Sequence, residues 1–394
     1  VKNIFLLNAP IVLEDSFLQN GYIQITGEKI EAFGDMLHTP LITKNDQVID
    51  CRNCQYVIPG MIDIHVHGAA GFDFMDGSPE AYEKIAYALA KEGTTAFLAT
   101  TITNPIKHTE DTISKLEKYH QLKNKPGTAE MLGIHLEGPF INAIQKGAQP
   151  ENAIIVPNVA TFKEWQELSG NMIKIITFAP ELDEDYKLLK ELKNTNVIPS
   201  MGHTNASYDE SLSAINEGVQ HATHLFNGMK GMHHRDPGVV GAVLLKDEIH
   251  VEIIPDGIHF HKDLLKMIVR MKGIENVLVI TDGMRAKGMP DGEYDLGGQQ
   301  VTVRDGKCVL SNSGSLAGSI VTMNEARLNL EKWLQLTIHE QIQMTSINQA
   351  KRLNLYHRKG SIQIGKDADL VVIGRDGEVE FTICRGIVAY NRNY

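Results

Sequence analysis

Short apolar runs recur along the middle of this chain, and each closes on a histidine or a carboxylate. Met61-Ile-Asp-Ile-His65-Val-His67-Gly68 comes first, followed by Ile134-His-Leu-Glu137-Gly138. Ser200-Met-Gly-His203, Ala222-Thr-His224, Pro255-Asp-Gly-Ile-His259 and Ile280-Thr-Asp282-Gly283 continue the series. A run that is apolar on both faces reads as a buried parallel strand with helices packed against it. Such strands are predicted at 61–68, 94–101, 131–138, 173–180, 197–204, 221–228, 250–257 and 276–283. The segments between them carry a helical period. The one that starts Ser78-Pro-Glu-Ala-Tyr adds a serine cap and a proline in its first turn.

Strand alternating with helix implies a parallel sheet with helical crossovers. Eight strands predict an α/β fold, a (β/α)8 TIM barrel over 59–360, whose active site lies at the C-terminal ends of the strands. A doubly wound open sheet accounts for the strand count but not for polar residues at so many strand ends. Both chain ends have a different texture. Ile11-Val-Leu, Gly21-Tyr-Ile-Gln-Ile-Thr and Ile30-Glu-Ala-Phe near the start read as β-segments. So do Ser361-Ile-Gln-Ile-Gly, Ala368-Asp-Leu-Val-Val-Ile and Thr382-Ile-Cys-Arg-Gly-Ile-Val-Ala-Tyr near the end. Residues 1–58 and 361–394 are therefore expected to pair into one small β-sandwich domain beside the barrel.

Composition narrows the chemistry. A net charge of −11 argues against a general nucleic-acid-binding surface, and an anionic substrate would need a local basic pocket. No apolar stretch approaches the roughly 20 residues that span a bilayer, and the first residues lack a signal-peptide pattern. Cys51 and Cys54 have CxxC spacing, but no second pair or nearby histidines complete a zinc site. Ordinary thiols in a reducing cytoplasm are expected, which makes the sequon Asn205-Ala-Ser207 irrelevant.

His65 and His67 are two apart on a strand, so both rings are expected on the barrel interior, where two neutral imidazoles can share a metal. His203 and His224 would join them from the fifth and sixth strands. Glu137 ends a run too apolar to carry a carboxylate without a cation, and one carboxylate can bridge two ions. Asp282 is the expected general acid/base, accepting a proton from a metal-held water and delivering it to a leaving amine. Asp63 and Asp256 are its rivals: Asp63 is expected to point away from the imidazole pair and to be structural, and Asp256, beside His259, to orient the loop that holds this ring. His259 suits an oxyanion-stabilising role; its alternative is to support the metal ligands from behind. Arg235, in Met-His-His-Arg-Asp-Pro-Gly, offers a planar fork for phosphate or carboxylate; its alternative is a salt bridge to Asp236. Gly138–Pro150 and Asn227–Gly241 read as functional loops.

Several longer motifs carry a resemblance. They are Pro59-Gly-Met-Ile-Asp-Ile-His-Val-His-Gly, His135-Leu-Glu-Gly-Pro-Phe, Lys146-Gly-Ala-Gln, Met201-Gly-His-Thr, Thr223-His-Leu-Phe-Asn-Gly-Met, His234-Arg-Asp-Pro-Gly and Ala317-Gly-Ser. Together they resemble the N-acetylglucosamine-6-phosphate deacetylase family of the amidohydrolase superfamily, from Asn20-Gly-Tyr-Ile to Asp367-Ala-Asp-Leu-Val. The resemblance implies a divalent metal held by Glu137, His203 and His224, with His65 and His67 holding a second ion and Asp282 beside them as the acid/base. It implies sugar and phosphate contacts from Ala148, Asn227, Gly228, His234, Arg235, His259 and the Leu316-Ala317-Gly318 stretch. It also implies a homodimer in which Arg235 reaches the neighbouring subunit's substrate, a phosphosugar. The usual histidine after Gly-Ala is Gln149 here, which puts that side-chain contact in doubt.

The fourth strand, Ile175-Ile-Thr-Phe-Ala-Pro, carries no lysine that could bridge metals as a carbamate. Glu137 would then do the bridging, and dihydroorotase or hydantoinase chemistry is disfavoured. The resemblance implies hydrolysis of N-acetylglucosamine 6-phosphate as the reaction. The alternatives are a deacetylase of the galacto epimer, an aminoacylase, or an inactive scaffold that would have lost its ligands. Zinc, iron, manganese and cobalt all suit such a donor set.

Overall fold

The computed structural model describes residues 3–393. Eight parallel strands follow one another around a sheet: Met61–Val66, Thr94–Thr101, Glu130–Glu137, Ile173–Phe178, Ile198–Met201, His221–Ala222, His250–Ile253 and Val277–Val279. The segment after the eighth strand closes the barrel. Gly283 bridges to Val66, and the Asp282 and His67 amides donate to His65 and Gly283 carbonyls at 2.9 and 2.8 Å. All eight strands begin near their predicted starts; the first and fourth stop two residues early, and those from the fifth onward stop well short of their predicted ends, because the chain turns inward there to present side chains. The helix Pro79–Lys91 shows how the outer layer is built. Ser78 caps it, and Ala81, Tyr82, Ile85, Ala86, Leu89 and Ala90 form the face buried against the sheet.

Strands from both chain ends form a second sheet, in the order Ile387–Asn391, Val379–Cys384, Leu370–Gly374, Cys54–Pro59, Asn3–Val12, Phe17–Thr26 and Lys29–Asp35, with Gln47–Asp50 also paired to Asn3–Val12. It is one hydrogen-bonded sheet. The Ile30 amide donates to the Lys366 carbonyl at 3.0 Å, so the edge strand curls back toward the centre around Ile4, Leu6, Ile11, Ile23, Val57 and Leu370. Ser361–Gly365, expected as β, is not a strand: its alternation is local, and Gly365 turns with φ +84°. Arg385 and Gly386, both at positive φ, make the turn between the last two strands.

Lys359 ties the two sheets together, its Nζ lying 2.6 Å from Glu130 on the barrel and 3.0 Å from Asp367 on the terminal segment. One element was not predicted. Gly292–Leu296, Gln299–Arg304 and Lys307–Leu310 form a three-stranded antiparallel sheet after the eighth barrel strand, with Leu296, Val301, Cys308, Leu310 and Ala317 as its core. Among the described residues no helix is long and apolar enough to cross a membrane.

Candidate active site

The strand ends converge on one carboxylate. Glu137 Oε1 lies 3.2 Å from His203 Nε2, 3.0 Å from His224 Nε2 and 3.4 Å from His65 Nε2. Its other oxygen lies 3.3 Å from His67 Nε2 and accepts from Gln149 Nε2 at 2.8 Å. Asp282 Oδ1 completes the cluster at 3.1 Å from His67 Nε2 and 3.4 Å from His65 Nε2. His203, His224 and His65 thus share one oxygen of Glu137 while His67 faces the other, and all of these groups are buried.

The outer ring nitrogens decide what the inner ones can do. His65 Nδ1 donates to Glu252 at 2.9 Å, His67 Nδ1 to the Thr100 carbonyl at 3.2 Å and His203 Nδ1 to the Gln145 carbonyl at 2.9 Å. Carboxylates and carbonyls only accept, so these rings carry their proton on Nδ1, and Nε2 presents a lone pair to the centre. Lone pairs then face carboxylate oxygens, an arrangement that needs positive charge between them. Protons could supply it. Although burial opposes charging, Glu137, Glu252 and Asp282 raise the affinity of His65 for a proton, and Asp282 and Glu137 push His67 up to about 10. A divalent cation supplies it more completely, because imidazole nitrogens and carboxylate oxygens are its ordinary donors. His65 Nε2, buried and without a hydrogen-bond partner, fits the same reading. The residues present therefore fit a metal centre.

Backbone strain marks the site. His203, His224 and Asp282 adopt φ of +46°, +29° and +49°, a region that costs a non-glycine residue about 1–3 kcal/mol. The turn swings each side chain inward from its strand end. At Gly228 a β-carbon would stand 2.9 Å from His203 Nδ1, so only glycine lets the loop pass that ring.

A cavity of about 290 Å³ opens over the cluster, and Ala148, Gln149, Asn227, Gly228, His259, Leu316 and Gly318 line it. His259 is held by Asp256: Nδ1 donates to Oδ2 at 2.7 Å, while the Ile258 and His259 amides donate to Oδ1. Ala317 is buried behind the wall, in the core of the three-stranded sheet. His234 and Arg235 lie outside the cavity, exposed and paired with each other at 2.8 Å. Lys230, not Arg235, bridges Asp236, at 2.8 Å.

Asp63 sits in the barrel seam, accepting from the Thr281 hydroxyl at 2.5 Å and the His65 amide at 3.1 Å. Strict alternation would put Asp63 on the same face as His65 and His67. An irregularity in pairing between Asp63 and Val66 breaks that parity. Sequence reasoning missed Glu252. The alternation in His250-Val-Glu252-Ile253 was the available signal, since a carboxylate inside so apolar a strand needs partners.

A closed barrel with this cluster at its C-terminal strand ends defines a metal-dependent hydrolase. The amidohydrolase family matches residues 56–388, and the chain belongs to it. The chain is 41% identical over 390 residues to an N-acetylglucosamine-6-phosphate deacetylase of Bacillus subtilis (strain 168), covering 99% of this chain and 98% of that protein. It is 34% identical over 322 residues to an N-acetylgalactosamine-6-phosphate deacetylase of Escherichia coli O157:H7, covering 82% of this chain and 84% of the relative. The crystal structure of N-acetylglucosamine-6-phosphate deacetylase from Pasteurella multocida superposes with a TM-score of 0.91 at 31% identity, over 99% of this chain and 100% of that one.

Proposed function

We propose that this chain hydrolyses N-acetylglucosamine 6-phosphate to glucosamine 6-phosphate and acetate. The observation that carries the reading is the Glu137 cluster, with Asp282 and His259 lining one cavity over it, in a chain whose full-length relatives bear that activity in their names. Glu137, His203 and His224 would hold one divalent ion, and His65 and His67, beside Asp282, a second. Such ions, when bound, supply the Lewis acidity that makes water nucleophilic near neutral pH.

The residues of the chain do the rest. His259 lines the same cavity as Asp282, where it can hydrogen-bond the acyl oxygen as negative charge builds on it. With its Nδ1 proton committed to Asp256, the ring must be an imidazolium to donate from Nε2. The Asp282 carboxylate takes a proton from the attacking water. It returns that proton to the nitrogen as the C–N bond breaks, leaving a free amine and acetate. Leu296, Leu316 and Ile102 wall the cavity with apolar surface that limits water around the amide.

Two further parts belong to the proposal. A homodimer would bring Arg235 to the neighbouring subunit's phosphosugar. A reducing cytoplasm is supported by four cysteines that form no disulfide.

The test is acetate release from N-acetylglucosamine 6-phosphate, the galacto epimer and the unphosphorylated sugar, with zinc-reconstituted wild type and Asp282→Asn. Fast turnover of the phosphorylated gluco substrate, falling roughly 10²- to 10⁴-fold in the variant, is expected. Preference for the galacto epimer would move the assignment to the second reading, which the Escherichia coli relative supports. No turnover of either would sink both.

A further inference from the structure

Glu252 is a buried carboxylate under the centre that the reaction above does not use. It lies on the seventh barrel strand, and none of its surface is exposed. A carboxylate in that position is tolerable only with donors on both oxygens. One oxygen accepts from His65 Nδ1 at 2.9 Å and from the His224 amide at 3.3 Å; the other accepts from His221 Nε2 at 3.0 Å. His221 is itself fully buried, so the carboxylate cannot swing away.

His65, His135 and Glu252 stand close enough together to suggest a separate ion site. The hydrogen bonds argue otherwise. His135 Nδ1 donates to the Ile64 carbonyl at 2.9 Å, and its Nε2 meets the Thr177 hydroxyl at 2.7 Å. His65 Nδ1 and both His135 nitrogens already have partners. The group is a support beneath the centre.

Its contact with a ligand ring falls on one half of the centre, while on the other half it meets only the His224 backbone amide. His67 and His203 are oriented by neutral backbone carbonyls, and His224 Nδ1 has no partner. His65 alone has an ionised side chain behind it, which fixes its tautomer and strengthens Nε2 as a donor. We propose that Glu252, braced by His221, is the positioning residue that commits His65 to metal binding, and so sets whether the His65/His67 half holds its own divalent ion. The inference rests on the two-ion reading above.

The measurement is zinc stoichiometry by elemental analysis and stepwise affinity by chelator competition, on folded protein checked by circular dichroism. His65→Ala marks the loss of the second ion. Wild type is expected to bind two ions. Glu252→Leu removes the acceptor at similar volume and should weaken the second ion roughly 10- to 100-fold while sparing the first. Glu252→Gln should recover most of the loss. Its oxygen can still accept from His65, because His221, whose Nδ1 is unpaired, can take the other tautomer. If Glu252→Leu does not fold, His221→Phe serves in its place, with a smaller selective loss expected. An unchanged second ion in the folded variant, or equal loss of both ions, would overturn the inference while leaving the two-ion reading intact. A wild-type stoichiometry of one would overturn both.

Discussion

At the scale of single residues, the site works by fixing protons on chosen nitrogens. Asp256 is a clear case, because it holds His259 through Nδ1 and through two backbone amides at once. The carboxylate at Nδ1 fixes the ring so that Nε2 is the nitrogen left to meet the acyl oxygen. Asp256→Asn keeps the shape but turns an amide toward the ring, leaving at best a neutral donor on Nε2. The lost interaction matures only as negative charge develops, so kcat should fall about 10-fold or more with KM little changed. Steady-state kinetics decide this; a rise in KM with kcat preserved would instead make His259 a ground-state contact. The strained φ values of His203, His224 and Asp282 belong to the same scale. Nothing in residue type announces them, since they arise where a strand end must turn its side chain inward.

Among the elements, the barrel was legible because its strands are apolar on both faces and end in polar residues. Glu137, His65, His67, His203, His224 and Asp282 could be placed at one end by that pattern alone, and they share one cluster in the fold. The sheet over Gly292–Leu310 was not legible: its strands are short, half-exposed and broken by Gly297, Gly298 and Gly306, all at positive φ. The partners of Lys287 were equally hidden, since no local pattern links it to Glu92, which lies 195 positions away. Their side chains pair at 2.9 Å, nearly buried, tying the end of the Pro79–Lys91 helix to the loop after the eighth strand. Burial raises the Glu92 pKa despite the ammonium beside it, so the pair specifies this contact more than it stabilises the fold. Lys287→Met, which strands the carboxylate, should cost about 3–5 kcal/mol, and adding Glu92→Leu should recover much of that. Urea denaturation midpoints would show it; independent, additive losses would mean that the two side chains do not act as a pair.

For the molecule as a whole, the difficulty is charge. The chain carries −11, and among the described residues that line the cavity none is Lys or Arg, yet the proposed substrate bears a phosphate. Arg235 stands exposed on a loop outside its own cavity, close in sequence to Met232, which is also exposed. A twofold partner that covers this loop would bring the guanidinium to the other subunit's phosphate. Arg235→Ala should then raise KM for the phosphorylated sugar roughly 10- to 100-fold with kcat largely kept, the worth of a hydrogen-bonded charge contact. That result alone does not say whose arginine is used. Mixing Arg235→Ala with Asp282→Asn subunits does. If the arginine acts across the interface, a mixed dimer rebuilds one complete site, with Asp282 from the first variant and Arg235 from the second. Equal mixing should then restore about a quarter of the wild-type sites at low substrate. An arginine that serves its own subunit leaves every site in the mixture defective, and no recovery would be seen.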